Sequence, residues 1–162
     1  MCVTNKYMKN PNEPLEYPPH YPPTDCWKKF FIGVRWLGPD ISFFKDLKRQ
    51  QDARTAESMN AWESSTRKEM ASVFGQSFAK HCGWPKPYFL PNDRMMVIVN
   101  GPSYGSIFPG DVDDLDIEEA FEEIEENLHQ RFPDSFWSLS LQKTLGEVVD
   151  DIIMKRGTVT NG

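Results

Sequence analysis

From residue 111 onward the chain consists of short amphipathic pieces, each opened by a capping pattern and closed by proline or glycine. Pieces of this kind bury their apolar stripes only by packing on one another. Asp116 and Glu119 stand at capping-box spacing, and Ile117, Ala120, Phe121, Ile124 and Leu128 follow at helical intervals. Phe132-Pro133-Asp134 breaks that run, and Ser135–Leu141, with Phe136, Trp137 and Leu139, has room for one short helical turn. Thr144 and Glu147 repeat the box spacing ahead of Leu145, Val148, Val149, Ile152 and Ile153. Lys155 and Arg156 suit a last turn, and Gly157 is expected to close it. Three helices are predicted here.

Upstream the pattern is more mixed. Ile41, Phe44 and Leu47 share a face behind Gly38-Pro39-Asp40, and the polar stretch 49–65 reads as helix or loop around Met59 and Trp62. Thr66 and Glu69 form a further box, Met70, Val73, Phe74 and Phe78 continue as a helix, and Gly83 with Pro85 ends it. Residues 84–93 read as an aromatic, proline-stiffened connector. Arg94–Asn100, a short apolar run between turn residues, is predicted as a buried strand, with Phe30–Leu37 as its simplest partner. Pro11, Pro14, Pro18, Pro19, Pro22 and Pro23 remove amide donors and fix φ, so residues 1–26 are expected to be an extended arm. The expectation is an α+β, mainly α protein: the arm, then a single globular domain over 27–162 with one small β element.

Charge and cysteine usage bound the function. The net charge of −6 conceals a split: residues 1–110 carry 14 basic and 10 acidic side chains, whereas 111–151 carry 2 and 14. Such an anionic segment repels phosphate backbones and attracts basic protein surfaces, so nucleic acid is not expected as a partner. Cys2, Cys26 and Cys82 are odd in number and widely spaced, and His20, His81 and His129 are scattered. Neither a zinc site nor a disulfide framework is expected. No apolar run approaches the roughly 18 residues of a membrane span, and no charged-then-apolar leader is expected from the opening residues. A soluble, cytoplasmic protein with no membrane contact and no cofactor is the expectation.

Asp113-Asp114-Leu115-Asp116, the glutamate-rich helix behind it, the Phe132-Pro133-Asp134 turn and Thr144-Leu145-Gly146-Glu147-Val148-Val149-Asp150-Asp151-Ile152-Ile153 resemble the second half of an acyl carrier protein. The likeness covers Asp111 to Lys155, with the helix at 66–80 standing for the family's first. It implies a helical bundle over 111–156 whose acidic second helix docks on basic patches of partner proteins. It also implies a serine at position 114, to which the phosphopantetheine arm is esterified. This chain has Asp114 there, and a carboxylate offers no such hydroxyl.

Several patterns suggest other chemistry. Gly101-Pro102-Ser103-Tyr104-Gly105 matches G-x-S-x-G, with His129 downstream, but Pro109 and Gly110 leave almost no room for the helix a nucleophile elbow requires. Asp111, Asp113, Asp116 and Glu122 have the outline of a calcium loop, yet Leu115 and Asp116 occupy positions that need an oxygen donor and a glycine. Cys82 beside His81 is expected to be a buried structural residue, because neighbours on a helix point apart. The sequence reading therefore favours a non-enzymatic adaptor that meets a basic protein through Asp113, Asp114, Glu118, Glu122, Glu125 and Glu126. The alternatives are a small serine hydrolase using Ser103 and His129, or a protein binding a small apolar ligand. Partner identity and oligomeric state are not legible.

Overall fold

The computed structural model describes residues 9–19, 21, 42–102 and 114–159. Among these residues the protein is mainly helical and contains no strand. Helix α1, Phe43–Asp52, buries Phe44, Leu47, Gln50 and Gln51. The undecided stretch behind it is a 3-10 segment, Ala56–Trp62, opened by a reciprocal Thr55–Ser58 box and anchored by Met59 and Trp62. Helix α2, Ser65–His81, buries Met70, Ala71, Phe74 and Phe78, while Val73 is half-buried. It starts earlier than predicted: the Ser64 hydroxyl accepts from Arg67 N at 3.3 Å, so Thr66 already lies in the first turn. Gly83, at φ +74°, turns the chain out of it.

The expected strand at Arg94–Asn100 is a helix, α3, Met95–Asn100. A short apolar run has no period to distinguish a buried strand from a buried helical turn. Here Met95, Val97, Ile98 and Val99 are all buried, and Gly101 at φ +75° ends the element. The proposed pairing with Phe30–Leu37 is therefore not formed by a strand at 95–99, and Phe30–Leu37 lies outside the described residues. One isolated antiparallel bridge joins Arg94 to Thr144. Met95 N donates to Lys143 O at 3.0 Å and Leu145 N to Asp93 O at 2.9 Å, so two helices begin side by side.

Helix α4 spans Asp114–Leu128, α5 Asp134–Ser140 and α6 Leu145–Val159. Helix α4 is already under way at Asp114, so Asp116 is not its cap, contrary to the box predicted there. At α6 the prediction holds: Thr144 N donates to Glu147 Oε2 at 2.8 Å and Glu147 N to Thr144 Oγ1 at 3.3 Å. Helix α6 runs past Gly157, whose missing Cβ would meet nothing within 4 Å, so this glycine does not end it. Arg156 instead reaches across to donate to Leu128 O at 2.6 Å, satisfying a carbonyl at the end of α4.

These elements share one core. Helix α2 packs on α4, on the 3-10 segment and on α6. Ala120 and Ile124 of α4 join Val148, Val149 and Ile152 of α6 in that core, and Phe121 stacks on Trp137 of α5 at 4.1 Å. The connector lies directly on the helices: a Cβ at Gly75 would fall 2.0 Å from Pro87 O, and one at Gly146 2.8 Å from Pro91 O. Trp62 Nε1 donates to Phe89 O and Trp84 Nε1 to Ile98 O, which supplies partners for the buried indole N–H groups.

Candidate docking face on the acidic helix

The apolar stripe of α4 turns Ala120 and Ile124 inward, and this fixes where each of its glutamates must point. Glu118, Glu122 and Glu126 recur every four residues, are exposed, and form no ion pair among the described residues. Asp114 begins the helix, and Asp113 lies outside the described residues. Four of the six anticipated docking acids thus fall on described parts of α4 with their side chains placed, and three of those four share one open row.

Glu125 is the fourth, and it faces inward. It is 7% exposed and accepts from Trp137 Nε1 at 3.0 Å, Phe132 N at 3.0 Å and Arg131 at 2.9 Å. Burial alone would raise its pKa, but these three donors outweigh that and hold the carboxyl below its ordinary value. Its role is to pin the 129–137 turn to α4, and it is not available to a partner. The clue in the sequence is its place one turn after Phe121 and one before Leu128, on the border of the stripe. Nothing in the sequence identifies Trp137 as its donor.

Two further acids are engaged by the end of α2, a contact that no local pattern discloses. Lys80 pairs with Glu123 at 3.1 Å, His81 contacts both Glu119 and Glu123, and the Ser77 hydroxyl donates to Glu123 at 3.2 Å and Ala120 O at 3.1 Å. Burial pushes Glu123 up, yet the bonds from His81, Lys80 and Ser77 bring it below its ordinary value. Lys80, His81, Glu119, Glu122, Glu123 and Glu126 line a shallow polar groove along this seam. Along this groove Glu119 and Glu123 contact the end of α2, whereas Glu122 and Glu126 share the groove without an ion pair among the described residues.

The competing chemistries fare differently. Ser103 lies outside the described residues. His129 sits just past the end of α4 at φ +53° and is exposed. Asp116 and Glu122 belong to one continuous helix, so the two do not belong to a calcium loop. Cys82 is fully buried, and burial with the nearby negative charge of Asp116 pushes its thiol up to about 12, so it stays protonated and unreactive. No described helix is long and apolar enough to cross a membrane. Comparison with models of known protein families, with curated proteins and with solved structures gives no match.

Proposed function

We propose that the chain is a non-enzymatic docking protein, a carrier-like helical bundle that offers the outer row of α4 to a basic surface on a partner protein. The observation that carries this reading is the set of exposed carboxylates Glu118, Glu122 and Glu126 on one helix face, which form no ion pair among the described residues. Like charges at i,i+4 cost an isolated helix a few tenths of a kcal/mol per pair. A partner that neutralises them recovers that cost, and the summed field speeds its encounter. The order of elements also supports the carrier likeness: a long helix α2, an acidic α4, a short α5 and a box-capped α6 around one core. Asp114 takes the position of the esterified serine, so the reading includes docking without an acyl-bearing arm.

Two experiments test this. Incubation with a phosphopantetheinyl transferase and coenzyme A should leave the mass of the protein unchanged; a gain of the pantetheine arm would overturn the reading of Asp114. In capture from the native host, bound protein should be released between about 0.05 M and 0.5 M salt, as screening shortens the reach of surface charges. The triple variant Glu118→Lys/Glu122→Lys/Glu126→Lys should lose that capture while keeping its helical circular dichroism. Capture that is indifferent to salt, or intact in the triple variant, would refute the docking face.

A further inference from the structure

The proline-rich arm is held as a ligand is held. Among the arm's described residues, Leu15 is the one fully buried side chain, and it belongs to the main core cluster. Nearly every other contact that fixes residues 11–15 is made by the body to the arm's main chain. Asp93 Oδ1 accepts from Leu15 N at 2.8 Å, and Arg94 N donates to Leu15 O at 3.0 Å. Gln50 Nε2 donates to Glu13 O at 2.7 Å, and Arg54 donates to Pro11 O at 2.9 Å and to Glu13 O at 3.0 Å. Pro11 and Pro14 contribute carbonyls but carry no amide that would need a partner. Asn12, Glu13 and Glu16 point outward and are exposed. At its far end Tyr17 meets Phe43 and Phe44 edge-on at 5.8 and 5.9 Å, and its hydroxyl accepts from Asn100 Nδ2 at 3.2 Å.

The receptor side is a connected set of buried polar groups. Arg54 and Asp93 are both completely buried and joined by two bonds of 2.6 and 2.9 Å. Asp93 also accepts from Leu90 N at 2.7 Å, and Arg54 also donates to Tyr88 O at 3.2 Å. Main-chain pairing for affinity, with one apolar pocket for selectivity, is a recurring mode of peptide recognition. We infer that the groove formed by α1, the connector and residues 93–94 is a peptide-binding site. Its occupant is an extended segment of the form Pro-Leu-x-Tyr-Pro, and in this chain residues 14–18 fill it in cis. Residues 22–42 lie between the bound segment and α1 in the sequence, and this covalent connection raises the segment's effective concentration at the groove. This inference does not depend on the acidic face.

The test uses the full chain with a specific protease site inserted after Pro23 and cut after folding. The cut arm should stay with the body through gel filtration at micromolar concentration. A fluorescent peptide copying residues 9–21 should then exchange into the cut protein, seen as a rise in anisotropy. The Leu15→Ala peptide should compete at least about 30-fold more weakly, since it loses a fully buried leucine, whereas Glu16→Ala should compete equally. Release of the arm from a body that stays helical would overturn the inference, as would equal competition by the Leu15→Ala peptide. A cut protein that takes up no peptide until the body unfolds would do the same, by making the arm an inseparable part of the core.

Discussion

The two ends of the molecule are held together by different physics. The seam of α2, α4 and α6 is an apolar contact between stripes, with polar groups at its margins. The arm, α1 and connector meet around a fully buried arginine–aspartate pair whose remaining donors and acceptors are used on main-chain groups. A stripe contact degrades gradually when one side chain is trimmed, because its neighbours close in. A buried charge pair fails abruptly, because removing one partner strands the other. The N-terminal region should therefore be the more brittle of the two.

The largest expected effect breaks this comparison directly. Asp93→Ala leaves the buried Arg54 charge without its counter-charge and the amides of Leu15 and Leu90 without their acceptor, and should cost about 3–5 kcal/mol in urea unfolding. A loss under about 1 kcal/mol would show that the pair holds little together. Glu125→Gln comes next, at about 1–3 kcal/mol near neutral pH, since a single amide oxygen replaces a carboxylate serving three donors. The native Glu125 carboxyl lies below the ordinary value of 4.5. The stability it contributes is thus complete above that value and disappears as pH falls through the depressed one. The variant should show a flatter acid limb in a stability–pH series, and an unchanged limb would exclude this role. Thr144→Ala should be mildest, about 1 kcal/mol in thermal or urea unfolding, because its box is exposed to water that can replace the lost bonds. Were it as damaging as Asp93→Ala, the contrast between the regions would be lost.

The same contrast explains what the sequence disclosed. Apolar spacing and local boxes are short-range patterns, so α2, α4, α5, α6 and the Thr144–Glu147 cap were legible. Where two local patterns competed, the start slipped: Ser64 takes the capping role that the spacing of Thr66 and Glu69 suggested for Thr66. Met95–Asn100 was misread because burial on all sides erases periodicity. Arg54 and Asp93 stand 39 residues apart with no repeating neighbour, so nothing marked them as a pair. The prolines marked the arm as extended, but the Leu15 pocket is assembled by tertiary structure alone. On the candidate face, charge density disclosed the acidic helix but not which of its glutamates faces inward.

Asp93 gathers Arg54 and Leu15 from 39 and 78 positions away in the chain, while Arg67 and Asp150 close another contact over 83. Helical proteins usually assemble fast because their neighbours in space are neighbours in sequence. Here that advantage is forfeited at one carboxylate, which must wait for distant stretches to arrive together. Closures of this length add to the average separation of contacts and are expected to slow assembly relative to a bundle of purely local ones.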